Sequence, residues 1–125
     1  MTENPWTPAH QAVESGDHVE LTHLLDEGAD VNEVCRGMTL LEHAIDLEGD
    51  SALQSGTPID SRLTVILLAY GADPKPQPPG RMSAADLADY YGHDIACRLI
   101  DRLTAPAAAS RLRSGLWPWR RSRKG

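Results

Sequence analysis

The residues closest to a reactive constellation are His18 and His23, five apart, with Asp17 and Glu20 beside them, all metal-ligand types. Helical side chains share a face at spacings of three or four, so a spacing of five turns these two apart. No third ligand follows at a matching interval, and we read them as a solvated helix face. Glu42 and His43 are neighbours at the start of another helix-like run. Adjacent helical positions diverge, which disfavours an acid–base pair. Cys35 stands beside Arg36, a cation of the kind that activates a thiol, yet a spectator thiol is the simpler reading. Cys35 and Cys97 are far apart, fit no metal-ligand spacing and require no oxidising compartment. The sequence shows no nucleophile with its base, no glycine loop for phosphate and no metal cluster. We expect no catalysis, no metal and no cofactor.

Composition narrows the reading. In 125 residues, 41% hydrophobic and 24% charged, there is room for one compact domain of ordinary globular character. Phe is absent, so Leu, Ile, Val, Ala and three Trp must supply the core. No basic segment followed by an apolar stretch opens the chain, and no apolar run reaches membrane-spanning length, so a cytoplasmic location is expected. The net charge of −6 conceals a division. All 18 acidic residues lie at or before Asp101, while the 12 basic ones split evenly, six up to Arg102 and six from Arg111 onward. The body is therefore 6 − 18 = −12 and the tail +6. Such asymmetry bears on partners rather than on fold.

The elements that must position these residues follow from one recurring stretch. Leu24-Leu25 run into Asp26-Glu27-Gly28-Ala29-Asp30-Val31-Asn32, and Leu67-Leu68 run into Ala69-Tyr70-Gly71-Ala72-Asp73-Pro74. Each copy reads as an apolar helix, a glycine stop and an Asp-led turn. Before the first copy, Thr7 and Pro8 open a short helix that Ser15-Gly16-Asp17 ends. A second helix runs from His18 to Glu27, with Val19, Leu21, Leu24 and Leu25 expected inside.

Thr7-Pro8-Ala9-His10-Gln11-Ala12, then Gly16, Leu24-Leu25 and Gly28-Ala29-Asp30-Val31-Asn32, resemble an ankyrin repeat. Gly37-Met38-Thr39-Leu40-Leu41-Glu42-His43-Ala44 restart the unit, 32 residues from Thr7 to Thr39. Leu40 and Glu42 stand where the family has Pro and His. Ala12 to Leu24 spans 12 residues but Ala44 to Leu67 spans 23, which places an 11-residue insertion at about Glu48 to Pro58. It is polar and rich in turn residues, so a surface loop is predicted. Asp60 or Ser61 is expected to cap the next helix, with Leu63, Ile66 and Leu67 inside. Ser83 to Ala88 open a third, degenerate unit with Gly92-His93 as its internal turn. Its second helix is expected to bury Ile95, Leu99, Ile100 and Leu103.

The resemblance implies an all-α solenoid of about three helix-turn-helix units, near residues 6–36, 37–79 and 80–104, with finger loops between them. Residues 105–125, basic and Trp-containing, read as a flexible, disordered tail. Thr7 would cap a helix and His10 would bond loop backbone. Pro8, Gly16, Gly28, Asp30, Gly37, Thr39, Gly71, Asp73, Gly92 and His93 are the other architectural positions. The family also implies non-enzymatic protein–protein binding through finger tips and the concave face of the first helices. By position the fingers are Asn32, Glu33, Val34, Cys35, Arg36 and Met38, then Pro74, Lys75, Gln77 and Arg81. The helix positions are Gln11, Glu14, Glu42, Asp46, Asp86 and Asp89. Negative charge along that face favours a basic protein partner, and the chain itself is expected to be a monomer. Two further readings accompany this one. An acidic immunity or inhibitor protein could cover the basic site of a toxin or nuclease, and the tail, with Trp117 and Trp119, could contact a membrane surface or nucleic acid.

Overall fold

The computed structural model describes residues 6–75 and 82–104. Three helical hairpins follow one another: α1 (Pro8–Glu14) with α2 (His18–Asp26), α3 (Leu40–Ser55) with α4 (Arg62–Ala69), and α5 (Ala84–Tyr91) with α6 (Asp94–Thr104). The opening residue of each first helix explains where it starts. Thr7, Thr39 and Ser83 lie in extended backbone, and their hydroxyls accept the N–H of His10, Glu42 and Asp86. In α3 and α5 the carboxylates of Glu42 and Asp86 return the bond to the cap's own N–H, completing a capping box.

The helices stack in two layers. α1 packs on α3 and α3 on α5, while α2, α4 and α6 form the second row. Ala9, Ala12, Ala44, Ala84 and Ala88 are small enough to let the first helices approach, and Leu21, Leu40, Leu41, Ile45, Leu63, Leu67 and Ile100 fill the seam. No hairpin could hide these residues alone; each borrows its neighbour's surface. Leu24, Ile66 and Leu99 pack against the core's edge. Val19, Ile95 and Leu103, expected inside, are exposed instead. Val19 is two residues from Leu21, about 200° around the helix, and so faces outward. Ile95 is the outward neighbour of buried Ala96, and Leu103 lies in the last turn of the last helix.

The finger after α2 is not irregular loop. β1 (Val34–Cys35) pairs antiparallel with β2 (Met38–Thr39) around a two-residue turn of Arg36 and Gly37. Both turn residues have positive φ, 54° and 81°, as a type I′ hairpin requires.

The insertion differs from its prediction too. Glu48 to Ser55 are helical, making α3 16 residues long against seven in α1, and only Gly56 to Ser61 form a loop. The turn residues that suggested a loop have other duties. Gly49 is buried where Tyr91 of α5 crosses α3, and a Cβ there would meet the ring's Cγ at 2.2 Å. Gly56, left-handed at φ 67°, is the real C-cap.

Candidate functional site

The first-helix layer carries charge of one sign. Glu14 on α1, Glu42, Asp46, Glu48 and Asp50 on α3, and Asp86 and Asp89 on α5 are its acidic side chains; α1, α3 and α5 hold no Lys or Arg. These acids are not equivalent. Asp50, Asp86 and Asp89 are exposed, whereas Asp46 is half-buried and accepts the Tyr91 hydroxyl at 2.7 Å. That bond, with burial and the nearby charge of Asp50, pushes the Tyr91 hydroxyl far above its ordinary pKa. Glu42, expected on the recognition surface, is buried. Its carboxylate takes the Thr39 N–H at 3.0 Å under the neighbouring helices and is withdrawn from any partner. Gln11 is half-buried, with its amide on the Ser15 hydroxyl.

A ring stack closes the first-repeat end. The Trp6 ring lies on His43, with centroids 4.4 Å apart, and beside His10 at 5.9 Å. The Arg36 guanidinium lies over the Trp6 ring, 5.5 Å from its centroid. His43 Nε2 is 2.8 Å from the Glu14 carboxylate, and its Nδ1 is 2.9 Å from Nδ1 of His10. Nε2 of His10 faces the Glu33 carbonyl at 3.5 Å, the backbone bond expected of it. Burial, with His43 adjoining, lowers the His10 pKa to about 4, so the ring is neutral at pH 7. A carboxylate–imidazole pair such as Glu14 and His43 has the elements of a general base, but the His43 side chain is only 3% exposed.

The finger residues are more engaged than their sequence positions suggested. Asn32 Oδ1 accepts the Asp73 N–H at 2.7 Å, so one inter-repeat turn is tied to the next. Asp30 accepts the Asn32 N–H, and Asp73 accepts that of Lys75. The Thr7 hydroxyl donates to the Glu33 carboxylate. Val34 and Lys75 are exposed, and Cys35, Met38 and Pro74 are half-buried. Gln77 and Arg81 lie outside the described residues, as does the tail.

Among the clefts that open on this framework, two border α3. One, of about 320 Å³, lies between the extended end of α3 and the first inter-helix turn, against Gly16, His18, Ala52, Pro58 and Leu63. The other, of about 360 Å³, sits between the second and third first-helices and is lined by Met38, Asp46, Met82 and Leu87. Among the described residues, no group of three or more His, Cys, Asp or Glu is placed to hold a metal, and no helix is long and apolar enough to cross a membrane. The sequence reading weighed His43 only as the neighbour of Glu42, and it missed Met82 and the internal role of Glu48. His43 meets Glu14 across 29 residues, and Glu48 meets Leu63, Thr64 and His93 across 15, 16 and 45.

Neither a family model nor a curated protein matches the sequence. Among solved structures, an ankyrin repeat domain from Acinetobacter baumannii superposes with a TM-score of 0.61 at 26% identity, covering 77% of this chain and 46% of that one. The chain folds as an ankyrin repeat stack. It spans a little under half the length of the structure it matches. Ankyrin stacks are in general scaffolds that bind other proteins across an extended surface rather than enzymes.

Proposed function

We propose that this ankyrin repeat domain is a non-enzymatic binding module whose first-helix layer receives a basic surface of another protein. The observation that carries the reading is the charge of α1, α3 and α5, seven acidic residues and no Lys or Arg. Glu42 and Glu48 are buried and hydrogen-bonded internally, which leaves Glu14, Asp50, Asp86 and Asp89 as the exposed contributors, with Asp46 half-buried. Like-signed carboxylates raise the capture rate of a cationic partner and reject anionic ones, nucleic acid included. The same field suits an inhibitor that covers a basic active site, a reading favoured by the −12 charge of the body.

The test is charge reversal on residues without packing duty. Asp50→Lys with Asp89→Lys should slow association with a partner captured by the unaltered protein and flatten its dependence on salt. A partner whose association rate ignored both the substitutions and ionic strength would sink the acidic-face reading.

A further inference from the structure

The cleft between α3 and α5 has a chemistry that the rest of the acidic layer lacks. Its apolar lining is Met38, Met82 and Leu87, with Met82 46% exposed. Asp46 lies in the wall, while Asp86 and Asp89 follow on α5 and Asp50 on α3. Thioether side chains adapt their shape and make favourable contacts with aromatic rings. Carboxylates around such a floor suit a segment in which aromatic side chains are flanked by Arg or Lys.

The chain carries one such segment itself. Leu116-Trp117-Pro118-Trp119 lie between Arg111 and Arg113 on one side and Arg120, Arg121, Arg123 and Lys124 on the other. The described chain ends at Thr104, and its end lies on the cleft's side of the stack. α5 begins beside Met82, and the two-residue turn before α6 sends that helix back along α5 for about 16 Å. From Thr104 to Trp117 is 13 residues, a reach of up to about 40 Å, enough to pass from the second layer to the first. A segment tethered so closely has an effective concentration near millimolar, at which even a weak site fills.

We propose that residues 111–124 of the chain occupy its own cleft between α3 and α5, with Trp117 and Trp119 on Met38 and Met82 and the flanking arginines toward Asp46, Asp50, Asp86 and Asp89. The inference rests on reading this layer as a surface for basic protein segments, and deepens it: an external partner must displace the tail, so the tail sets the threshold for binding.

Two of the chain's three methionines, Met38 and Met82, line the cleft. Methyl-labelled methionine spectra of the full chain therefore report on the cleft. Against the full-length variant Trp117→Ala with Trp119→Ala, the Met38 and Met82 methyl signals of the unaltered protein should be displaced by ring currents. The displacement should shrink at high salt and persist unchanged on tenfold dilution. Identical Met38 and Met82 signals in the two proteins would overturn the proposal, and a displacement that vanished on dilution would too, since the occupant would then be a second copy. Trp signals that responded only to phosphatidylserine vesicles or duplex DNA would also overturn it, assigning the tail to an anionic surface. A pentapeptide of four lysines around one tryptophan separates this failure from that of the underlying reading. If it moves the two methyl signals of the variant, the acidic cleft still takes basic segments; if it moves neither, that reading falls as well.

Discussion

The Glu48 carboxylate stands 2.8 Å from Nε2 of His93, so the middle of α3 is joined to the turn that starts α6. Nδ1 of the same ring accepts the Ala96 N–H at 3.2 Å, which fixes the tautomer and leaves Nε2–H as the donor. Glu48 also receives the Leu63 and Thr64 N–H groups and the Thr64 hydroxyl. Ser61 makes no side-chain cap, so α4 takes part of its N-terminal capping from a carboxylate 15 residues earlier. A negative charge at that end is favoured by the helix dipole as well.

Replacing Glu48 by Ala should therefore leave four donors in the interior without their acceptor. At about 1–3 kcal/mol for each unsatisfied buried group, with some relief from entering water, the loss should reach about 3 kcal/mol or more. Thr64→Val removes one donor while leaving the rest, and should cost about 1.5 kcal/mol or less. Urea unfolding of both variants measures the difference; equal losses would mean that the carboxylate is not the hub described.

Gly49 yields a prediction whose sign depends on background. A helical Gly→Ala change ordinarily stabilises by up to about 1 kcal/mol. At position 49 the new Cβ would lie 2.2 Å from Cγ of Tyr91, and overpacking of this kind costs about 1–3 kcal/mol. Gly49→Ala should accordingly destabilise the protein, but stabilise one already carrying Tyr91→Ala. A double-mutant cycle on thermal unfolding reads the reversal.

These two residues also show where sequence reasoning stopped. Caps, stops and the apolar doublets were legible because each is written within a few neighbouring residues: Thr7, Thr39, Gly28 and Leu67 announce their roles locally. Glu48 and Gly49 carry surface and turn signatures, and their contacts with His93 and Tyr91 span more than 40 residues. The inserted segment was thus read as loop although it continues a helix. The acidity of the first-helix layer was legible as a distribution of charge, but the burial of its members was not. Glu42 is a surface type that the capping box and the stack draw inside.

Asn32 makes the same point for the finger, and can be tested by hydrogen exchange. Its Oδ1 is the acceptor for the Asp73 N–H in the next inter-repeat turn. Asn32→Ala should cost about 1 kcal/mol. The Asp73 amide should lose its protection while the amides of α2 and α4 keep theirs. Unchanged exchange at Asp73 would return Asn32 to the set of residues reserved for a partner.

The His10 ring gives the acid side of the stability profile a definite direction. Its pKa is near 4 in the folded protein, against an ordinary 6.5, because burial and the adjoining His43 disfavour the imidazolium. Between these values the unfolded chain binds the proton more readily, so stability falls as pH drops from about 6.5 toward 4. Glu14 and Glu33 meet the two rings and His43 adjoins His10, so the slope must be assigned by difference. His10→Gln removes the buried imidazole but keeps an amide to meet His43 and the Glu33 carbonyl. The variant should be less stable than the unaltered protein at pH 7, and its urea midpoint should decline less between pH 6.5 and 4.5. Parallel curves for the two proteins would show that another group governs the acid transition.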